Sequence, residues 1–336
     1  MFLLSLLACP KMPLASPEPK PIVRVIDGPW SESKAISVAV TGPRGQDGRI
    51  SGPAILMVTF VGPNDVLWFS TSLNSGHGWK LPVFVAREVS MGIKAQGRPE
   101  VLLALGQTQI LAISGGLPVL STRTQEGWIP TLLEEGAQTQ ALDGMTWGGS
   151  TLVAWTDPRG PSLRLWWDGK VEVLAEGADL DLCSRPALGL VDDRPVLAWR
   201  QGGALLTRAL SQDFEWNPVE SQPLQAPECD GPLFVGPHLV TANRGQLSID
   251  GKQVETLVQD PWQVAQPRGL GVWVERDGDS ERVFADGTPL LTAGEGELEL
   301  WSPADVSGEL WVPFTTSSGL TVAGYSPPLA DAAPTP

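Results

Sequence analysis

The sequence predicts an all-β chain folded as a β-propeller of six or seven blades. Three observations carry this. Asp-Gly turns recur between apolar strands. A Pro-led strand start returns roughly every 40 residues, the size of one four-stranded blade. No stretch keeps helical periodicity long enough to make a core helix.

The Asp-Gly turns are Trp167-Asp168-Gly169-Lys170, Ile249-Asp250-Gly251-Lys252 and Ala285-Asp286-Gly287-Thr288. Such a turn needs positive φ at both central residues, which Asp tolerates and Gly adopts freely, so each reads as a hairpin. The strand starts are Ser51-Gly52-Pro53, Gly97-Arg98-Pro99, Ser184-Arg185-Pro186 and Asp230-Gly231-Pro232, with looser copies near Leu142, Pro267 and Leu298. A third echo, Trp79-x-x-Pro82-Val83, returns as Trp128-x-Pro130 and Trp216-x-Pro218-Val219. The 37 Gly and 31 Pro fit many short strands joined by tight turns, and 42% hydrophobic residues supply a substantial core. Segments 22–26 and 35–40 both alternate like strands. One of them is expected to pair with the last unit, around 310–325, closing the ring and removing its exposed edges.

Residues 70–82, between the apolar runs 54–60 and 66–69 and the run 83–85, read as a Gly-rich hairpin turn in which Asn74 and Ser75 bond their own backbone. The spacing Ser72-x-Asn74-x-Gly76-x-x-Trp79 resembles the Asp-box, or BNR repeat, of sialidase-like β-propellers. In that family the acidic position is usually Asp and a Thr usually precedes the Trp; Asn74 and Gly78 stand there in this chain. The resemblance covers most of residues 51–325, although only the turns and blade starts are specific. It implies a structural role for Ser72, Asn74, Gly76 and Trp79. Cys183-Ser-Arg-Pro and Cys229-Asp-Gly-Pro resemble a bacterial subgroup with Cys ahead of such blade starts, which implies a Cys183–Cys229 disulfide; two buried thiols are the alternative.

Leu6-Leu7-Ala8-Cys9 resembles the lipobox of bacterial lipoproteins, with Cys9 as the lipidated residue, although no basic region precedes it. The expected organisation is a signal over 1–9, a Pro-rich tether over 10–21, the propeller over 22–326 and a disordered tail over 327–336. The expected location is the bacterial cell envelope, with the membrane reached by the lipid anchor alone.

Composition narrows function. A net charge of −15 without a basic stripe argues against nucleic acid. The two histidines, His77 and His238, lie far apart with no second ligand at metal spacing, so neither a metal nor any other cofactor is expected. Asp179-Leu-Asp181 and Asp277-Gly-Asp279 read as solvated acidic loops, with a calcium-like acidic turn as the alternative. Sialidases use a Tyr nucleophile with a Glu, an Asp acid/base and three Arg. The single Tyr here, Tyr325, adjoins the tail, and Arg24-Val25-Ile26 does not match the family's Arg motif. No catalytic residue is assigned.

Antiparallel blades bring unit starts and second-strand ends to one face. The starts contribute Arg98, Arg185, Asp230 and Arg268. The second-strand ends contribute Asp157, Arg159, Arg200, Arg244, Glu275 and Arg276. These are the ligand-binding candidates. The alternative is that they are loop charges and inter-blade ion pairs. The expected function is non-enzymatic binding of a glycan or an envelope protein through the propeller mouth; a sialidase-like glycan hydrolase using the same face is the competing expectation.

Overall fold

The computed structural model describes residues 22–25, 34–43, 52–74, 78–85, 96–211, 215–224, 232–235, 238–243, 246–254, 264–265, 272–277, 280–285, 288–294, 299–300, 304–306, 309–316 and 319–325. Among these, the strands group into seven antiparallel sheets, six of four strands and one of five. The chain is an all-β propeller, and the sheets are its blades.

In each of the six four-stranded sheets the strands follow chain order as a meander, the first of them innermost. In the first blade the strands are Lys34–Thr41, Ile55–Val61, Leu67–Ser72 and Val83–Phe84. The second comprises Gln96–Ala104, Gln107–Ser114, Leu117–Thr124 and Gly127–Leu132. The third comprises Ala141–Trp147, Ser150–Asp157, Ser162–Trp167 and Lys170–Glu176. The fourth comprises Ala187–Val191, Arg194–Gln201, Ala204–Ala209 and Glu220–Pro223. The fifth starts at Leu233–Val235 and the sixth at Val264–Ala265.

Ring closure follows the sequence expectation. Ile22–Val25 is the outermost strand of the seventh blade, pairing antiparallel with Gly319–Tyr325 (Ile22 opposite Gly324, Val25 opposite Thr321). The other segment, Lys34–Thr41, is the innermost strand of the first blade. One expectation shifts. Ser51-Gly52-Pro53 leads into Ile55–Val61, the second strand of its blade, whereas Pro186 leads into a first strand. Gly and Pro punctuate any strand entry, so the motif marks a start without saying which start.

Burial explains the sequence pattern within a blade. Second strands are sandwiched on both faces by neighbouring blades, so Ile55–Val61 and Ser150–Asp157 are buried almost throughout, and apolar residues run consecutively over 55–58 and 152–155 instead of alternating. Outermost strands face water, and Lys170–Glu176 is mostly exposed. The core therefore lies between blades. Met57 and Phe69 meet Ile110 and Trp128; Leu111 meets Val153 and Trp155; Leu152 and Leu163 meet Leu197 and Trp199. At about 25 cal/mol per Å2 of apolar surface, this interdigitation is the main force holding blade to blade.

The hairpins obey their residues. Asp168-Gly169 has φ of 48° and 79°, and Asp250-Gly251 has 48° and 74°, both type I′. Asp286-Gly287 lies outside the described residues. In the turn after Leu67–Ser72, the Ser72 hydroxyl donates to Asn74 Oδ1 at 2.9 Å, and the Gly78 amide donates to the same oxygen at 2.9 Å. The Lys80 amide donates to the Thr71 carbonyl at 2.9 Å, and Trp79 pairs across from Ser72, its ring half-buried. A carboxamide oxygen suffices here because the turn needs an acceptor, not a charge. Gly76 lies outside the described residues.

Candidate functional site

Every described blade is antiparallel, so entries to first strands and exits from second strands lie at one end of the ring. Arg185, at the entry to Ala187–Val191, is the best-described candidate there. Its guanidinium pairs with Glu100 of the second blade and, at 2.5 Å, with Asp143 Oδ1 of the third. One arginine thus ties three successive blades together near the axis. The three side chains are largely buried, at 22%, 9% and 11% exposure.

Glu100 and Asp143 belong to a run of inter-blade bonds that sequence reasoning missed. Ser37 Oγ accepts the Val101 amide at 3.1 Å, Glu100 Oε2 accepts the Gly144 amide at 2.8 Å, and Asp143 Oδ2 accepts the Leu188 amide at 2.6 Å. In each step an innermost-strand side chain accepts from the next blade, one residue past its own equivalent. Ser37, Glu100, Asp143 and Ala187 are those equivalents, opposite Thr59, Leu111, Ala154 and Ala198. Ala187 has no acceptor and ends the run. The signal available was position: Glu100 directly follows Arg98-Pro99, as Ala187 follows Arg185-Pro186.

A second cluster sits at the exit of Ser150–Asp157. Asp157 is fully buried; its carboxylate receives Arg159 Nη2 at 2.7 Å, Arg159 Nε at 3.2 Å, the Arg159 amide at 3.0 Å and the Gln138 amide at 3.4 Å. Arg164 stands 3.7 Å from the same carboxylate and bonds Glu134. Burial alone pushes the Asp157 carboxyl up; the Arg159 hydrogen bond, the two amides and the Arg159 charge outweigh it and hold the carboxyl below its ordinary value. The same bond raises the exposed Arg159 guanidinium. Arg200 pairs with Asp181 at 3.3 Å, and Asp181 also accepts the Ser184 amide at 3.1 Å. Asp179 accepts Gln201 Nε2 at 3.0 Å, so both carboxylates of this acidic turn tie it to the end of Arg194–Gln201.

The other candidates divide simply. Arg98 lies in Gln96–Ala104, and Glu275 and Arg276 lie in Val272–Asp277, placed by backbone only. Asp230, Arg244, Arg268, Cys9 and Cys229 lie outside the described residues. Cys183 leads into the fourth blade's first strand. Two further polar groups occupy the same end. The hydroxyls of Thr139 and Ser184, in residues 7% and 3% exposed, make no hydrogen bond among the described residues. No group of three or more His, Cys, Asp or Glu side chains converges as a metal site among the described residues.

No family model matches the chain, and no curated protein matches it. Solved propellers resemble it in fold. A mutant of the Aleuria aurantia lectin, in complex with alpha-methyl-L-fucoside, aligns with TM-score 0.50 at 11% identity over 92% of this chain and 95% of that one. YCF48 from Cyanidioschyzon merolae aligns with TM-score 0.49 at 13% identity over 91% and 99%. The Dos1 propeller gives TM-score 0.48 at 10% identity over 92% and 95%.

Proposed function

We propose that the protein is a non-enzymatic, sialidase-like propeller tethered to the bacterial envelope, and that it binds a glycan or an envelope protein through the end of the ring that carries Arg185 and Asp157. The observation supporting this is how the charges there are employed. Glu100 and Asp143 both accept from Arg185 and from a backbone amide, and Asp157 accepts from Arg159 and two amides. Glycoside hydrolysis by two carboxyl groups needs one as a proton donor and the other as nucleophile or base. Carboxylates engaged in holding amides and guanidinium groups suit neither role. What that end offers a ligand is hydrogen bonding from the exposed Arg159 and the polar rim around Glu134 and Arg164. Such a lining suits a hydroxyl-rich partner. The lectin that shares the fold holds a fucoside, so the architecture can present a sugar site.

The envelope assignment rests on Leu6-Leu7-Ala8-Cys9 and on the prolines at 10, 13, 17, 19 and 21. A multiply acylated Cys9 anchors firmly, whereas one chain holds only marginally. Cys9→Ser is expected to move the protein from the membrane fraction to the soluble one. Binding of the soluble propeller to a glycan array, run beside turnover of fluorogenic glycosides, tests the function. Sugar binding without turnover is the expected result; turnover abolished by Glu100→Gln or Asp157→Asn would overturn the non-enzymatic reading.

A further inference from the structure

We infer that the opposite end of the ring carries a second binding site: a groove that takes a peptide segment of a partner protein presenting a basic side chain beside an apolar one. This does not rest on the function proposed for the mouth.

The groove, about 580 Å3, lies between the innermost strands of the third, fourth and fifth blades. Its apolar walls are Met145, Leu188, Leu190 and Phe234, and Asp192 and Asp193 stand at its rim. Gly189 shapes it: a Cβ there would collide with the Phe234 ring, so the glycine lets that ring close against the strand as a wall. The volume is within the roughly 300–1,000 Å3 range of ligand sites. It is open along one side, which suits a chain laid across it.

The rim carries the specificity. Asp192 and Asp193 form the tight turn between Ala187–Val191 and Arg194–Gln201, with φ of 49° and 61°. The corresponding turn of the third blade uses Gly148-Gly149, which adopts this left-handed backbone freely. The Trp147 indole N–H donates to the Asp193 carbonyl at 3.0 Å and pins the turn over the groove. Among the described residues neither aspartate side chain forms an ion pair, although Arg194 follows directly in sequence. Two exposed carboxylates fixed beside an apolar wall complement a cation on an apolar stem. An arginine lays its methylenes along the half-buried Leu190 and forks its guanidinium onto the carboxylates. The chain's net charge of −15 draws such a partner in.

The test is calorimetric titration of the full chain with the capped tetrapeptide Leu-Arg-Phe-Arg, with its Glu-for-Arg counterpart and with free arginine as comparisons. Binding of the Arg peptide alone, weakening as salt rises, is expected. The double variant Asp192→Asn, Asp193→Asn keeps a residue type that tolerates the left-handed turn. It should bind about 5-fold more weakly, the loss of two exposed charge contacts, with an unchanged melting temperature. Thr146→Trp, which fills the groove from the third blade, should abolish binding. No binding at millimolar peptide, full affinity in both variants, or equal binding of the Glu peptide would overturn the site. Free arginine binding as tightly as the peptide would overturn the peptide assignment in favour of a small cation.

Discussion

Arg185→Ala is the sharpest test of how the ring is held near its axis. Removing the guanidinium leaves Glu100 and Asp143, 9% and 11% exposed, facing the gap without their shared cation. Breaking a buried ion pair from one side costs about 3–5 kcal/mol, because an uncompensated charge remains. Here one cation serves two carboxylates. Its own 22% exposure admits some water, which favours the lower part of that range. At roughly 2 °C per kcal/mol for a chain of this size, the melting temperature should fall by about 6–8 °C. The control is Glu100→Gln in the Arg185→Ala background. It removes one of the two stranded charges and should recover part of the loss, although Glu100→Gln alone destabilises. That sign reversal is the signature of coupling between the two positions. A melting temperature within about 1 °C of the parent would refute the clamp and return Arg185 to the pool of anion-binding candidates.

Three further outcomes follow from the same geometry. Asp157→Asn should cost about 2–3 kcal/mol, the worth of hydrogen bonds to a charged acceptor. The folded Asp157 carboxyl lies below its unfolded value, so its contribution is complete above the ordinary Asp range, near pH 4, and is lost as pH falls through the folded value; the Asn variant should lack that acid-limb loss in urea titrations at successive pH. Trp79→Ala should cost about 2 kcal/mol, below the 3–5 kcal/mol of a fully buried ring, and leave ligand binding per folded molecule intact; lost binding at unchanged stability would place this turn at the mouth. Cys183 and Cys229 are expected to form a disulfide closing a loop of about 45 residues and contributing roughly 3–4 kcal/mol, which non-reducing peptide mapping reads directly; two alkylatable thiols in the folded protein would refute it.

The architecture was legible because its signals are local. Asp168-Gly169 and Asp250-Gly251 fix their hairpins by φ alone, and neither needs a distant partner to form. Trp128 lies in the outermost strand Gly127–Leu132, and Trp216 bridges Leu210 ahead of Glu220–Pro223. The strand at 22–25 was recognisable, and its pairing with 319–325 followed from the need to close a ring. Where the reading slipped, at Gly52-Pro53, the signal was again local and the question was not. Whether a strand comes first or second in its blade is decided by which neighbour it packs against, and Pro53 carries no information about that.

The site was less legible for the same reason. Arg185 stood out as an arginine at a blade start, but what it does depends on residues 85 and 42 positions earlier in the chain. Glu100 and Asp143 look like ordinary strand carboxylates in sequence; only the approach of three innermost strands makes them a shared acceptor pair. Asp157 shows the opposite case. Its partner Arg159 is two residues away, so Asp157-Pro-Arg159 could be read together, while its complete burial could not. A propeller repeats its turns because each blade must fold alike, but it varies its inward side chains because each pair of neighbours meets once. Ser37, Glu100, Asp143 and Ala187 occupy one repeated position with four different residues. Three accept an amide from the next blade, and only the acidic two recruit an arginine. Among these four described blades the inward residue changes from blade to blade, so the repeat locates the position without saying which blade carries a carboxylate there.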